Sequence, residues 1–168
     1  PPNGIDEPAR QWRKELRGLS LEPVEAGDFD VVVVGGGVSG CAAALSAARL
    51  GLQVALIHDR PVLGGNASKE IGLMPRGAQG SVLQEIGRRT PDGDLMALDI
   101  LRSEPNASVF LEQRVFNAEV DNDKIVSVDA VAARGGTESR IRGKIFIDAS
   151  GVAQLAILSG AETLFGRE

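Results

Sequence analysis

Gly35, Gly37 and Gly40 are spaced as G-x-G-x-x-G, a spacing with which a backbone turn can hold the pyrophosphate of a dinucleotide. Gly35 would permit a tight turn, Gly37 would let the backbone approach the phosphates, and Gly40 would let the following helix pack against the preceding strand. The N–H groups at the start of that helix, including those of Val38 and Ser39, would stabilise the phosphate charge together with the helix dipole. The alternative is a glycine-rich turn that binds nothing.

The elements around these glycines favour the binding interpretation. The β-branched run Val31–Val34 precedes them and predicts a buried parallel strand. Cys41–Leu50 is rich in Ala and Leu and predicts a helix, with Gly51 at its C-cap. Leu52–Ile57 predicts a second buried strand. The glycines therefore lie at the strand-to-helix turn of a βαβ unit, which is the context that gives the spacing its meaning.

The residues after the second predicted strand depart from the usual pattern. A dinucleotide-binding unit has an acidic residue there, about 20 residues beyond the glycines, which bonds the adenosine ribose. Here His58 holds that position, and Asp59 and Arg60 follow it. Either His58 bonds the ribose through a ring nitrogen, or the chain is shifted by one residue and Asp59 does so. A third interpretation makes His58 a solvent-exposed strand end without a ligand. The acidic Asp59 argues against a cofactor with a 2′-phosphate.

Composition argues against several other classes of function. The chain has 18 Lys and Arg against 23 Asp and Glu, a net charge of −5, which argues against nucleic-acid binding. One cysteine and one histidine cannot form an internal disulfide or a usual structural zinc site. No apolar run approaches the roughly 20 residues that span a bilayer. The sequence therefore predicts no metal site, no nucleic-acid partner and no membrane span.

Few residues suit acid–base or nucleophilic catalysis. Cys41 lies at a predicted helix N-terminus, which can lower the pKa of a thiol, but a cysteine there is more often a small packing residue. Arg76 lies in a loop, where it would face either an anionic ligand or solvent, and Glu70 has no clear role. The chain has no G-x-S-x-G nucleophile motif. The catalytic residues therefore stay unassigned.

Outside the βαβ unit, the pattern predicts an N-terminal helix, a central helical region and a run of strands. Alternation of apolar and polar residues after Val109 predicts an antiparallel meander inserted into the βαβ chain. The predicted elements are helices over Ala9–Leu19, over Ser81–Arg89, from an N-cap at Asp94 to about Ser103, and over Ala153–Ser159; strands over Val109–Leu111, Val115–Val120, Ile125–Ala133 and Thr137–Arg142; and a buried strand that begins at Lys144 and opens into a small-residue turn.

Together these elements predict an α/β fold, a Rossmann-like parallel sheet with helices on both faces and an inserted antiparallel β-meander. Residues 1–28, which carry four prolines, form a predicted arm or linker, and residues 29–168 form a dinucleotide-binding domain. The chain starts at Pro1 without an initiator Met, so we expect a piece of a longer protein. A cytoplasmic location is favoured, although an export signal could lie upstream of residue 1.

Further segments resemble one family of cofactor-binding enzymes. Leu63–Asn66 resembles a segment of the FAD-dependent oxidoreductases of the glutathione-reductase-like superfamily, in which this backbone lies against the flavin and the pyrophosphate. The meander between residues 115 and 142 resembles their β-excursion, and Ile147–Gly151 resembles their D-A-T-G segment. The tail Ser159–Glu168 is similar to an uncharacterised branch of the same enzymes. The resemblance covers Asp30–Glu168.

The resemblance implies that FAD is the cofactor and assigns contacts by position. The backbone of Val115 would meet the adenine, and the turn at residues 149–151, shaped by Asp148, would approach the pyrophosphate or the ribityl chain. Asn66 and Ser68 would lie nearest the isoalloxazine, although a solvated loop at Ser68 and Lys69 is an equal alternative. The full set of predicted cofactor-binding residues is Gly35, Gly37, Val38, Ser39, Gly40, His58, Asp59, Arg60, Gly64, Gly65, Asn66, Ser68, Val115, Ala149, Ser150 and Gly151.

The expected function is that of the FAD-binding domain of a flavin-dependent oxidoreductase, which holds FAD for hydride or electron transfer from an unidentified small-molecule donor. A NAD-linked dehydrogenase domain and a non-catalytic nucleotide-binding scaffold are the alternatives. A substrate domain outside this chain is expected, and the sequence assigns no oligomeric state.

Overall fold

The valine run predicted as a buried strand lies at the centre of the sheet. In the computed structural model, which describes residues 7–77 and 79–164, this strand (β1) runs from Val24 to Val34. It pairs in parallel with β2 (Val54–Ile57) on one side and with β6 (Glu138–Asp148) on the other. Its last four residues are buried, which suits a continuous β-branched run. β1 begins before the predicted strand because its first residues pair with the first half of β6.

The described residues form six strands and five helices. Besides β1, β2 and β6 these are α1 (Glu7–Leu16), α2 (Val38–Arg49), α3 (Ser81–Ile86), α4 (Ala97–Ser103), β3 (Ala107–Phe110), β4 (Gln113–Asp121), β5 (Lys124–Ala132) and α5 (Gln154–Leu158), with a 3₁₀ turn at Gly65–Ala67. The strand order is β3-β2-β1-β6-β5-β4. The first four strands in this order are parallel, and β5 and β4 continue the sheet as the antiparallel meander.

Helices α2, α3 and α4 cover one face of the parallel strands. Cys41, Ala44 and Leu45 of α2 are fully buried in one cluster with Val31 and Val33 of β1. These small and apolar side chains let the helix lie close to the sheet. The N-terminus of α2 is thereby held directly after the carboxyl end of β1.

The opposite face of the sheet is covered mainly by the meander. Val32 and Val34 of β1 share a buried cluster with Val115 of β4, Val128 of β5 and Leu155 of α5. The predicted α/β class, with a Rossmann-like sheet and an inserted meander, is confirmed. On this face, however, the only helical cover that the cluster includes is the five-residue α5.

β6 is one continuous strand where the sequence predicted two. Glu138 pairs with β5 alone and residues 139–142 pair with both β1 and β5, whereas residues 143–148 pair with β1 alone in the part of the chain that the structure describes. Gly143 lies at the change, and a Cβ there would come within 2.6 Å of Cγ2 of Val32. Glycine usually weakens a strand, which is why the pattern suggested a break. Here the missing side chain lets β6 continue beside β1 and end at Asp148.

Four of the five described helices are shorter than predicted, and α2 is longer, because it begins at Val38 rather than at Cys41. α1 ends at Leu16 rather than Leu19, and α3 ends at Ile86 rather than Arg89. Even α2, with 12 residues, falls short of the roughly 20 that cross a bilayer. Among the described helices none has the length and apolar character of a membrane span.

The predicted N-cap of α4 is wrong. The helix begins at Ala97, with Met96 at the N-cap position. The carboxylate of Asp94 instead accepts a hydrogen bond from Nζ of Lys69 at 2.7 Å. The partner of Asp94 is therefore a distant side chain rather than the helix backbone.

A buried ion pair joins α1 to the meander. Nζ of Lys14 donates to Oε2 of Glu138, the first residue of β6, at 2.6 Å, and the two side chains are 5% and 6% exposed. Arg10 adds a second contact to the same oxygen at 3.1 Å, and its guanidinium lies 5.0 Å from the ring centre of Phe116. The predicted arm thus contains a helix over residues 7–16, which the ion pair holds against the meander. Residues 1–6 and the tail at 165–168 lie outside the described residues. The boundary at residue 28 stays a prediction.

We expect Glu138→Gln to lower the free energy of unfolding by about 3 kcal/mol, because it leaves the buried ammonium of Lys14 without a counter-charge. Chemical denaturation followed by circular dichroism measures the change. Glu25→Gln is the matched control, since Glu25 pairs with Arg142 in an exposed salt bridge. Its loss should leave the denaturation midpoint almost unchanged, and equal effects of the two substitutions would contradict a buried clamp.

Candidate functional site

A cavity of about 890 Å³ opens where β1, β2 and β6 end, in front of the N-terminus of α2. This is the position where open α/β sheets bind ligands, and the volume is in the range of small-molecule and cofactor sites. Except for Gly40 and Ser68, every residue predicted to bind the cofactor lines this cavity. The structure therefore brings together segments that are far apart in the sequence.

The three motif glycines have different surroundings. Gly35 has a φ of 108°, and a Cβ on it would lie 2.3 Å from the carbonyl oxygen of Ala149. A Cβ on Gly40 would lie 1.8 Å from the carbonyl oxygen of Gly35, so this position tolerates only glycine. Gly37, the N-cap of α2, has nothing within 4 Å of its Cβ position and lines the cavity. Gly35 and Gly40 thus shape the turn, and Gly37 leaves its backbone open to a ligand.

His58 is built into the turn rather than exposed. Its side chain is 8% exposed, its Nδ1 accepts a hydrogen bond from the N–H of Gly36 at 3.0 Å, and its Nε2 lies 3.1 Å from the carbonyl oxygen of Val62. Because an amide N–H can only donate, Nδ1 carries no proton, and the proton sits on Nε2 and is donated to Val62. Both ring nitrogens are therefore engaged within the chain. His58 is therefore not a solvent-exposed strand end, and it has no free ring nitrogen with which to bond a ribose.

Burial is the main cause of a lowered pKa at His58, and the nearby carboxylate of Asp59 opposes it. The imidazole is consequently neutral near pH 7, as its hydrogen bonds require. Asp59 is 62% exposed and lines the cavity, so its carboxylate is free to accept hydrogen bonds from a ligand. Arg60, next along the chain, pairs with Glu70 at 2.7 Å.

The glycine turn is joined to a second loop, Gly64–Asn66. The N–H of Gly64 donates to the carbonyl of Gly36 at 2.7 Å, and a Cβ on Gly65 would lie 3.2 Å from Cα of Gly37. Gly64 has a φ of 109° and precedes the 3₁₀ turn. The two backbones therefore run side by side in the lining of the cavity.

Ser68 does not lie on the cavity. It is 1% exposed, and its hydroxyl accepts a hydrogen bond from the N–H of Glu70. The prediction that Ser68 is near a flavin therefore lacks support from this geometry, and a solvated loop at this residue is wrong as well. Its neighbour Lys69 is partly exposed and pairs with Asp94.

The turn after β6 is organised by Asp148. One carboxylate oxygen accepts hydrogen bonds from the N–H and hydroxyl of Ser150 at 3.0 and 2.6 Å, and the other accepts from the N–H groups of Leu155 and Ala156 in α5. Burial alone would raise the pKa of Asp148, but these hydrogen bonds outweigh it and lower the pKa. Asp148 therefore fixes the turn that presents Ala149, Ser150 and Gly151 to the cavity.

Two glutamines that the sequence analysis did not select also line the cavity. Gln113 begins β4, and its amide oxygen is buried without a hydrogen-bond partner in the described residues. Gln154 begins α5 and donates from Nε2 to the carbonyl of Val115. Gln113 lies two residues before Val115 on a strand, so the alternation of faces was a signal that could have identified it. Gln154 carried no such signal.

Part of the cavity lining is apolar. Ile71, Leu73, Pro75 and Leu83 contribute to it, and the first two are 47% and 66% exposed. None of these four residues was among the predicted site residues. An apolar wall of this kind suits the flat face of a ring system.

The cavity holds few groups that suit acid–base chemistry. Burial raises the pKa of Cys41 to about 12, so the thiol stays protonated and acts as a packing residue. Arg76 is exposed and does not line the cavity. Of the titratable side chains among the described lining residues, His58 and Arg60 are engaged with the protein and Asp59 is free.

A sequence model of the family described as FAD dependent oxidoreductase matches residues 30–92 and 90–168. Among curated proteins, an alpha-glycerophosphate oxidase of Streptococcus pyogenes is 28% identical over 54% of this chain and 17% of its own length. A probable glycerol-3-phosphate dehydrogenase of Encephalitozoon cuniculi is 36% identical over 45% of this chain and 12% of its own length. The chain therefore spans less than a fifth of the length of these relatives.

Solved structures share the fold. The glycerol-3-phosphate dehydrogenase from Bacillus halodurans complexed with FAD has a TM-score of 0.57 at 16% identity, over 89% of this chain and 39% of that chain. The L-proline dehydrogenase from P. horikoshii has a TM-score of 0.53 at 22% identity, over 77% of this chain and 23% of that chain. At these identities the similarity concerns the fold alone.

We expect the chain to lose stability as the pH falls below 6.5, the usual pKa of histidine, because of His58. The pKa of His58 is lowered in the folded state, so the unfolded state takes up the proton first and is favoured as the pH falls toward the lowered value. Above pH 6.5 the contribution is fully present. Urea denaturation at several values between about pH 5 and 8 measures the change.

His58→Gln isolates this effect, because His58 is the only histidine in the chain and all carboxylates stay the same. The stability of the wild type should approach that of the variant as the pH falls. Parallel curves for the two proteins across this range would show that His58 is not a neutral, hydrogen-bonded part of the turn.

Proposed function

Because this chain belongs to the family of FAD dependent oxidoreductases, we propose that its large cavity holds FAD with the pyrophosphate at the N-terminus of α2. Membership of the family establishes FAD as the cofactor and oxidoreductase as the class. The contrast among the three glycines of the turn supports this position for the pyrophosphate. Gly35 and Gly40 are locked by packing, whereas Gly37 faces the cavity with open space where a Cβ would be.

The pyrophosphate would be bound by backbone rather than by cations. The backbone at the start of α2, at Gly37, Val38 and Ser39, lines the cavity, and the helix dipole stabilises negative charge there. Arg60 is the only cationic side chain among the described lining residues, and Glu70 already pairs with it. Ala149, Ser150 and Gly151 would close the opposite side of the phosphates.

The adenosine half would lie at the end of β2. Asp59 is exposed there and would accept hydrogen bonds from the ribose hydroxyls, as acidic residues do at this position. His58 would act indirectly, because its two bonds hold Gly36 and Val62 in place. The adenine would then reach the region of Val115, beyond the ribose.

The flavin half would lie against the apolar part of the lining. The backbone of Gly64, Gly65 and Asn66 lies beside the glycine turn and lines the cavity. Leu73 and Pro75 add apolar surface to the lining. The cavity thus offers both polar groups and apolar surface to a dinucleotide.

Bound FAD supplies the hydride or electron transfer, and this chain supplies binding and orientation. We propose that a small-molecule donor is held by residues outside this chain, because the relatives are several times longer and the described cavity offers no free acid–base group except Asp59. The identity of the donor is not assigned. A cytoplasmic location stays a prediction.

We expect the purified chain to bind FAD and Gly37→Val to abolish the binding without changing the stability of the free protein. The valine side chain would occupy the space through which the pyrophosphate approaches the backbone. The absorbance of protein-bound flavin at about 450 nm after gel filtration, together with calorimetry, measures binding. Thermal denaturation without cofactor measures stability.

Gly80→Val is the matched control. Gly80 is the N-cap of α3, has a φ of −69° close to the −67° of Gly37, and also has nothing within 4 Å of its Cβ position, but it does not line the cavity. Its variant should bind FAD normally. A chain that binds NADH as tightly as FAD would favour the dehydrogenase alternative, and bound FAD that no reductant reduces would favour a scaffold.

A further inference from the structure

We propose that Gln113 recognises the adenine base of the bound dinucleotide, with its amide oxygen as the acceptor for the 6-amino group. The inference rests on the proposed function, because it assigns a contact within the same cavity. It concerns the choice of base, which the glycine turn and the helix dipole do not determine.

The amide oxygen of Gln113 is an acceptor without a donor. It is buried and has no hydrogen-bond partner in the described part of the chain. The amide nitrogen of Gln113 is not among the buried polar atoms that lack a partner. Buried polar atoms are nearly always paired, so an unpaired one calls for an explanation. Gln113 lines the cavity, and a donor on a ligand would satisfy it.

The position of Gln113 matches the base rather than the phosphates. Its backbone N–H donates to the carbonyl of His58 at 2.9 Å, which places it directly beside the strand end that carries Asp59. If Asp59 holds the ribose, the base lies next to the residues around it. Val115, two residues further along β4, lies on the same side of the strand as Gln113.

The competing acceptor is already engaged. The backbone carbonyl of Val115 accepts a hydrogen bond from Nε2 of Gln154. Gln154 is itself fixed, because its N–H donates to the hydroxyl of Ser150 at 3.0 Å. At this end of the cavity the oxygen of Gln113 is therefore the buried acceptor that still lacks a donor.

This arrangement distinguishes purines by the group at position 6. Adenine carries an amino group there, which donates a hydrogen bond, whereas hypoxanthine carries an oxygen, which would face the oxygen of Gln113. A site built around a hydrogen bond rejects an analogue that cannot make it, because the buried group is then left unpaired.

The test compares three ligands: FAD, the analogue of FAD in which oxygen replaces the 6-amino group, and FMN, which lacks the adenosine monophosphate half. Dissociation constants come from calorimetry. We expect the wild-type chain to bind FAD at least about tenfold more tightly than the oxygen analogue. Equal affinities would overturn the role of Gln113 and leave the proposed function intact, whereas a chain that binds none of the three would overturn the proposed function itself.

Gln113→Met keeps the length of the side chain and removes the acceptor. It should weaken FAD binding about tenfold and leave the affinities for the oxygen analogue and FMN nearly unchanged. The preference for FAD over the oxygen analogue should therefore disappear. The unfolding midpoint without cofactor should not fall, because an unpaired buried oxygen is removed. Gln113→Leu repeats the test in a second side chain, and Gln11→Leu, on an exposed part of α1, is the control. A preference for FAD that survives in both Gln113 variants would overturn the inference.

Discussion

The close approach of α2 to the turn after β1 is the contact on which the cavity depends. The Cβ that Gly40 lacks would stand 1.8 Å from the carbonyl oxygen of Gly35, so the helix can lie this near only because the residue is glycine. The approach aims the N-terminus of α2 at the space beyond the strand ends. His58, Gly64 and Asp148 then hold the neighbouring loops around that space through hydrogen bonds to backbone or within turns.

His58 shows how a substitution can change the role of a position without losing the site. An acidic side chain is usual at the end of the second strand, where it faces the ribose. The imidazole turns instead toward the glycine turn, where a Cβ on Gly36 would lie 2.7 Å from its Cγ. In the proposed binding mode, Asp59, one residue further on, takes the acidic role. The sequence left these alternatives open because the number of residues alone does not reveal which way a side chain points.

Local patterns predicted the parts of the fold that local chemistry determines. The structure contains the elements that three local patterns predict. The valine run specifies a strand, the small residues of α2 specify a helix, and the alternation after residue 109 specifies the strands of the meander. What the sequence did not predict depends on contacts between distant segments: Gly143 continues β6 because Val32 lies beside it, Ser68 is buried by its own loop, and Asp94 pairs with Lys69 rather than with a helix. Gln154 was missed for the same reason, since only the folded chain brings it to the cavity wall, whereas Gln113 shares a strand face with Val115 and could have been identified.

The uneven pairing of β6 gives the molecule an open sheet edge. Over residues 143–148 the described strand has β1 on one side only, so its other row of backbone donors and acceptors has no partner strand among the described residues. Lys144 lies on this stretch and is held by Asp30 at 2.7 Å. A lysine on an exposed edge is a common protection against uncontrolled strand addition, because a neighbouring strand would have to accommodate its charge. The strand that positions Asp148 at the cavity thus also has a lysine that disfavours edge-to-edge aggregation.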